Sequence, residues 1–207
     1  MVNAVSGNAS ATTDIPTGPE IREKLTRIRA FVESLGVQVV DAVAPADNAR
    51  FIGLLEKQTI ILFPDSATPF ALWFTVAHLF GHMTQMAAST DRVRRANVLV
   101  LRRGEELSPS DVQLIYDHEL EAAEIGRTLI AALEPELPLT LDVAYTRFFL
   151  ADFRYLVNAI ETGESGPTVF ARFWRREPLP RELIKADARP LLDMRTVVAP
   201  VDSIVVV

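Results

Sequence analysis

Two histidines, His78 and His82, stand four residues apart in the stretch TVAHLFGHMTQM, which runs from Thr75 to Met86. On a helix this spacing places both imidazoles on one face, separated by about 6 Å along the axis. Imidazole nitrogens so placed can hold one zinc ion at about 2.1 Å from each. The alternative is a pair of core histidines that hydrogen-bond to backbone carbonyl groups. The spacing alone leaves both interpretations open.

A third ligand is available in the segment DHELEAAEIG, which we predict to lie on a second helix. Glu119 heads a stripe of mostly small residues on one face of that helix: Ala122, Ala123, Gly126 and Ile130. Small residues let two helices approach closely, so the Glu119 carboxylate would point into the contact. A buried carboxylate needs a cation or strong hydrogen bonds. The pattern favours zinc held by His78, His82 and Glu119, with water as the fourth ligand, as in catalytic zinc sites.

Composition limits the classes of function. The chain has 207 residues, of which 49% are apolar, enough for a substantial core. The net charge of −6 disfavours direct nucleic-acid binding. The absence of cysteine excludes disulfides, thiolate metal ligands and a cysteine nucleophile. No run approaches the ~18 apolar residues of a membrane span, and the first residues lack the pattern of a signal peptide, so we expect a cytoplasmic protein without membrane contact.

The histidines require a helix to position them, and the flanking residues predict one. Thr68 suits the N-cap and Pro69 the first helical turn, and the apolar segment that follows, to about Ala87, is typical of a core helix. We expect one helix and three strands before it: a helix from about Glu20 to Leu35, with Gly36 as its C′ residue, and strands at Val37–Val40, Phe51–Leu55 and Thr59–Phe63, the last two joined as a hairpin.

The elements after the histidines follow similar signals. Ser108 and Pro109 predict the start of the helix that carries Glu119, which should run to about Leu133. The other predicted elements are a strand at Asn97–Arg102, a helix at about Val143–Thr162 ending at Gly163, a short helix near Arg181–Asp187, and extended segments at Thr196–Val198 and Ser203–Val207. The last segment could pair as a strand within the chain or across a homodimer.

The order of these elements predicts an α+β fold, with a small, mostly antiparallel sheet packed against the histidine helix and further helices. We divide the chain into a flexible tail (1–18), a metal-site domain (19–140) and a helical and extended C-terminal region packed on it (141–207).

The motifs resemble the ImmA/IrrE family of zinc metallopeptidases over about residues 20–133. The family pattern R-x-x-F-T-x-A-H-E-x-G-H is matched in part by Phe74-Thr75-Val76-Ala77-His78-Leu79-Phe80-Gly81-His82. The later pattern E-x-E-A-N-x-F-A-x-x-L-L is matched in part by the segment from Glu119 to Ile130, ELEAAEIGRTLI.

This resemblance implies a zincin-like fold and zinc held by His78, His82 and Glu119, with Glu121 as the alternative third ligand. It also implies a protein partner or substrate, because members of such families cleave a repressor or regulator and are often encoded beside a helix-turn-helix repressor.

The chain departs from the family where the reaction needs a base. Leu79 occupies the position of the catalytic glutamate, and Ala123 that of the asparagine in the second motif. Loss of a general base typically costs about 10²–10⁴ in rate. Glu121 and His118 are the other candidates for a base. Two functions therefore stay open: a zinc metallopeptidase, or a degenerate interaction module whose site is structural or empty.

Overall fold

The computed structural model describes residues 18–44, 52–88, 90–102 and 104–186, and the backbone of 204–206. Helices and one small sheet make up these residues. The helices are α1 (Pro19–Ser34), α2 (Pro69–Ala88), α3 (Asp91–Val100), α4 (Pro109–Leu133), α5 (Leu139–Thr162) and α6 (Pro167–Arg176); the strands are β1 (Gln38–Asp41), β2 (Gly53–Glu56), β3 (Thr59–Leu62) and β4 (Ile204–Val206).

The sheet has the strand order β1-β3-β2-β4. The hairpin β2–β3 is antiparallel, with Leu55 opposite Ile60, and β1 runs parallel to β3 on its other side. β4 pairs antiparallel with β2, so the C-terminal segment adds to the sheet of its own chain. The α+β class and the predominance of antiparallel pairing are confirmed.

The histidine helix α2 lies at the centre of the fold, in contact with α1, α4, α5 and the hairpin. Its start is as predicted: the Thr68 hydroxyl accepts a hydrogen bond from the backbone N–H of Ala71 at 3.2 Å. Residues 70–83 are all buried. A helix that is apolar nearly all round is stable only when it is covered on every side, and the surrounding elements provide that cover.

The helices α2 and α4 cross with their backbones in close approach. A Cβ atom on Gly81 would lie 2.0 Å from the carbonyl oxygen of Ala122, and one on Gly126 would lie 2.6 Å from that of Ala77. Only glycine fits at both positions without displacing backbone. The predicted stripe of small residues on α4 is therefore the surface that meets α2.

Helix α5 completes the enclosure of α2. The Tyr145 hydroxyl donates to the carbonyl oxygen of Ala123 at 2.8 Å, and the Phe149 ring lies 6.5 Å from that of His78. One hydrophobic cluster extends from Ile21 on α1 to Ile184. The described part of the C-terminal region thus shares its core with the metal-site domain.

Two element predictions are wrong, and a third gives the right helix and end but a late start. Residues 97–100 belong to helix α3 rather than a strand: Thr90 caps that helix, and its buried residues recur at helical spacing at Val93, Ala96, Leu99 and Val100. Helix α5 begins at Leu139, four residues before the predicted start. Residues 181–186 form no helix; there the backbone N–H of Ile184 donates instead to the Thr146 hydroxyl at 3.0 Å.

Helix α6 was not predicted from the sequence. Residues 1–17 of the predicted tail and the segment Thr196–Val198 lie outside the described residues. Within the residues described, no helix combines the length and the apolar character needed to span a membrane.

Candidate metal centre

His78, His82 and Glu119 converge where α2 crosses α4. Both histidines are 1% exposed and Glu119 is 6% exposed. His78 Nε2 lies 2.9 Å from Glu119 Oε2, His82 Nε2 lies 3.2 Å from the same oxygen, and the two nitrogens are 3.2 Å apart. Among the described residues, this buried group could hold a metal ion.

The size of this triangle is close to that of a metal site. Tetrahedral zinc with bonds of about 2.1 Å separates neighbouring ligand atoms by about 3.4 Å. The three observed separations fall between 2.9 and 3.2 Å. An outward shift of roughly a few tenths of an ångström in each side chain would therefore admit the ion.

The tautomer of His82 follows from the side chain of Gln85. The Gln85 Nε2 atom donates to the His118 carbonyl oxygen at 2.8 Å and to Glu121 Oε2 at 3.0 Å. Both partners are acceptors, so the orientation of the amide is fixed. Gln85 Oε1 then faces His82 Nδ1 at 3.0 Å, and that nitrogen must carry the proton. In neutral His82, the lone pair of Nε2 therefore points towards Glu119.

The contact between His82 and Glu119 needs a proton or a metal ion between the two atoms. A lone pair on His82 Nε2 and a carboxylate oxygen of Glu119 repel each other at 3.2 Å unless a proton or a metal ion lies between them. Burial tends to raise the pKa of Glu119, but with a proton on His82 Nε2 the charge of His82 and the hydrogen bonds that both histidines donate outweigh it and hold this pKa well below its usual range. Burial lowers the pKa of His78, which favours its neutral, metal-binding form.

Glu121, the alternative third ligand, lies outside the triangle. Its carboxylate accepts from Gln85 and forms an ion pair with Arg92 on α3. Glu121 thus contacts Gln85, a neighbour of His82, while Glu119 belongs to the group that could hold a metal ion.

His118 lies behind His82, with ring centroids 4.8 Å apart. Its Nε2 atom is 3.1 Å from Asn97 Oδ1, and it is not a member of the metal-binding group. Burial, helped by the nearby His82, lowers the pKa of His118 to about 4. The residue is therefore neutral near pH 7.

Leu79 is fully buried in the core. A leucine side chain offers no group that could accept a proton, so the position of the family's catalytic base contributes packing only.

Asp152 on α5 is an acidic residue near the centre that sequence reasoning missed. It follows Phe149 by one helical turn, and the Phe149 ring packs between His78 and Tyr116, at 6.5 and 6.0 Å between ring centroids. Burial, together with the charge of Glu119, raises the pKa of Asp152 to about 7. The available signal was its spacing: it lies three and seven residues after Phe149 and Tyr145, in the stripe that faces the core.

Comparison of the chain with models of known protein families, with curated proteins and with solved structures gives no match. The similarity to ImmA/IrrE proteins therefore rests on the motif residues themselves. The buried group of two histidines and one glutamate defines the chemical class of the site.

Proposed function

We propose that this chain is an ImmA/IrrE-like zinc-binding protein, with the ion held by His78, His82 and Glu119. The observation that carries the proposal is the convergence of His78 Nε2, His82 Nε2 and Glu119 Oε2, with a lone pair of His82 directed at the carboxylate. Two imidazoles and one carboxylate suit zinc, whereas magnesium and calcium prefer sites made of oxygen ligands alone.

The first role of the ion in this proposal is to join α2 to α4. The three side chains come from both helices and are almost fully buried, and Leu79 supplies no base. The function that these features support best is a degenerate peptidase whose metal stabilises a protein-interaction module. Its partner, by the resemblance, is a regulator protein such as a helix-turn-helix repressor.

The test is the zinc content and zinc affinity of protein purified without chelator. We expect one zinc per chain, with His78→Ala, His82→Ala and Glu119→Ala each losing it. His118→Ala is the matched control, because it removes a buried histidine beside the site without removing a ligand. Equal zinc binding by wild type and all three ligand variants would refute the proposal.

A second candidate function is peptide hydrolysis, and the placement of Asp152 favours it. A carboxyl group beside a metal centre can take a proton from a bound water, which is the task of the missing glutamate. The assay is cleavage of a repressor encoded beside the gene, with Asp152→Asn and Leu79→Glu as variants. If wild type cleaves the repressor and Asp152→Asn cleaves it about 10²-fold or more slowly, the result supports this function. If neither wild type nor Leu79→Glu cleaves the repressor, the result argues against it.

A further inference from the structure

Gln85 contacts three groups that belong to two helices. It is 3% exposed and lies one turn after His82 on α2. Its carbonyl oxygen faces His82 Nδ1, while its amide nitrogen donates to the backbone of His118 and to the carboxylate of Glu121, both on α4. The Gln85 side chain thus uses both its acceptor and its donor in contacts around the metal centre.

The contact to Glu121 continues to the protein surface. Glu121 Oε2 is shared between Gln85 and Arg92 of α3. The Arg92 side chain is 45% exposed, whereas that of Glu121 is 25% exposed. A chain of polar contacts therefore runs from Arg92 through Glu121 and Gln85 to the ring of His82, which the proposed function makes a zinc ligand.

We propose that Gln85 is the positioning residue of the centre: it holds His82 in the Nδ1–H tautomer, and the Arg92–Glu121 ion pair holds Gln85. This inference rests on the proposed zinc site. A zinc-binding histidine commonly donates its other N–H to an acceptor, which fixes the ring and makes the bound nitrogen more basic. Gln85 supplies that acceptor for His82, and Glu121 restrains the amide so that its oxygen cannot turn away.

The charge of Arg92 holds the Glu121 carboxylate in place beside Gln85. Without it, the Glu121 carboxylate would be freer to turn to solvent, and the Gln85 amide would keep only the His118 carbonyl as an acceptor. Helix α3 would then influence metal affinity without contacting a ligand.

The test combines zinc affinity with nitrogen-15 NMR of the His82 ring. In wild type we expect Nδ1 to give the signal of a protonated nitrogen with and without zinc. Gln85→Met, which keeps the length but removes the acceptor, should weaken zinc binding about 10–100-fold and alter that signal.

Surface variants keep the test informative if Gln85→Met fails to fold. Arg92→Ala should weaken zinc binding several-fold, whereas Arg95→Ala should not. Arg95 is the matched control, since it also joins α3 to α4, but its partner is Asp111, at 2.9 Å, rather than Glu121. Equal zinc affinity in Arg92→Ala and Arg95→Ala would overturn the role of the ion pair.

An unprotonated Nδ1 in wild type, or wild-type zinc affinity in Gln85→Met, would overturn the role of Gln85. If wild type binds no zinc, the proposed function fails, but the Nδ1 signal of the metal-free protein still decides whether Gln85 sets the tautomer.

Discussion

His82 Nε2 and Glu119 Oε2 face each other at 3.2 Å across the contact between α2 and α4, while Gln85 holds the proton on the opposite nitrogen of the ring. Two electron-rich atoms at this distance in a buried site need a positive charge between them. A proton can supply it in the metal-free protein, and zinc supplies it in the proposed holoprotein. Metal affinity should therefore depend on pH and on the packing of the two helices.

Zinc should stabilise the fold. At a free zinc concentration of about 1,000 times Kd, binding adds about 4 kcal/mol to the free energy of unfolding, which raises Tm by roughly 8–16 °C for a chain of this size. Calorimetry with and without chelator measures the shift. Glu119→Gln keeps the shape of the side chain but removes its charge, and should abolish most of the shift. A full shift in that variant would contradict the ligand assignment.

Substitution of Gly81 should disturb both the fold and the site. In Gly81→Ala the new methyl group would lie 2.0 Å from the Ala122 carbonyl oxygen, so α2 and α4 must move apart. Overpacking of this kind typically costs about 1–3 kcal/mol, and a rigid backbone contact should place the cost at the upper end. Urea unfolding measures the loss, and zinc affinity should fall with it.

The matched control for Gly81→Ala is Thr84→Ala, at a half-buried position of the same helix. Thr84→Ala should lower the free energy of unfolding by much less than Gly81→Ala does. Equal losses of stability in the two variants would mean that the close crossing of α2 and α4 is not the cause.

His118 should make the metal-free protein sensitive to acid. Its pKa of about 4 in the folded chain lies below the ordinary 6.5, so between these values the unfolded chain binds more protons. Stability should fall by roughly 3 kcal/mol from this residue as the pH drops from about 6.5 to 4. Urea unfolding at several pH values should show a weaker pH dependence in His118→Phe than in wild type. If the free energy of unfolding depends on pH equally in both proteins, His118 is not buried in its neutral form.

Asp152 should respond to the metal. Its pKa of about 7 lies above the ordinary 3.8, so the folded chain holds the extra proton between these values, and this residue destabilises the fold as the pH rises through that window. A zinc ion beside Glu119 introduces positive charge, which favours the Asp152 carboxylate and should lower its pKa by about one unit or more. Carbon-13 NMR of the carboxyl group follows this titration.

The control for this titration is Asp142, an acid in the first turn of the same helix whose carboxylate is paired with Arg127 at 2.8 Å. Zinc should leave its carboxyl signal unchanged. An Asp152 pKa that does not respond to zinc would place its carboxyl group too far away to act on the centre.

The parts of the site that lie on α2 and α4 could be predicted from sequence, because both helices are long and carry clear start signals at Thr68 and Ser108. The stripe headed by Glu119 needed only helical periodicity and small side chains. The same reasoning failed at α3, where the apolar run Val98–Leu101 is too short for its period to separate a strand from the end of a helix.

The roles of Gln85 and Asp152 depend on how the helices pack against each other, which the periodicity of the sequence does not show. The orientation of the Gln85 amide is set by the His118 carbonyl and by Glu121, both on another helix. The charge of Glu119 acts on Asp152 because α5 packs against α2 and α4, through contacts such as that between the rings of Phe149 and His78. The candidate ligands could thus be predicted from the sequence, whereas the residues that affect their protonation and orientation could be found only from the fold.

Anomalous diffraction at the zinc edge, from crystals of protein purified without chelator, tests the proposed zinc site most directly. We expect one peak per chain, about 2.1 Å from His78 Nε2, from His82 Nε2 and from a Glu119 carboxylate oxygen. Zinc-supplemented crystals with no peak among these three side chains, or with one coordinated by other residues, would contradict it.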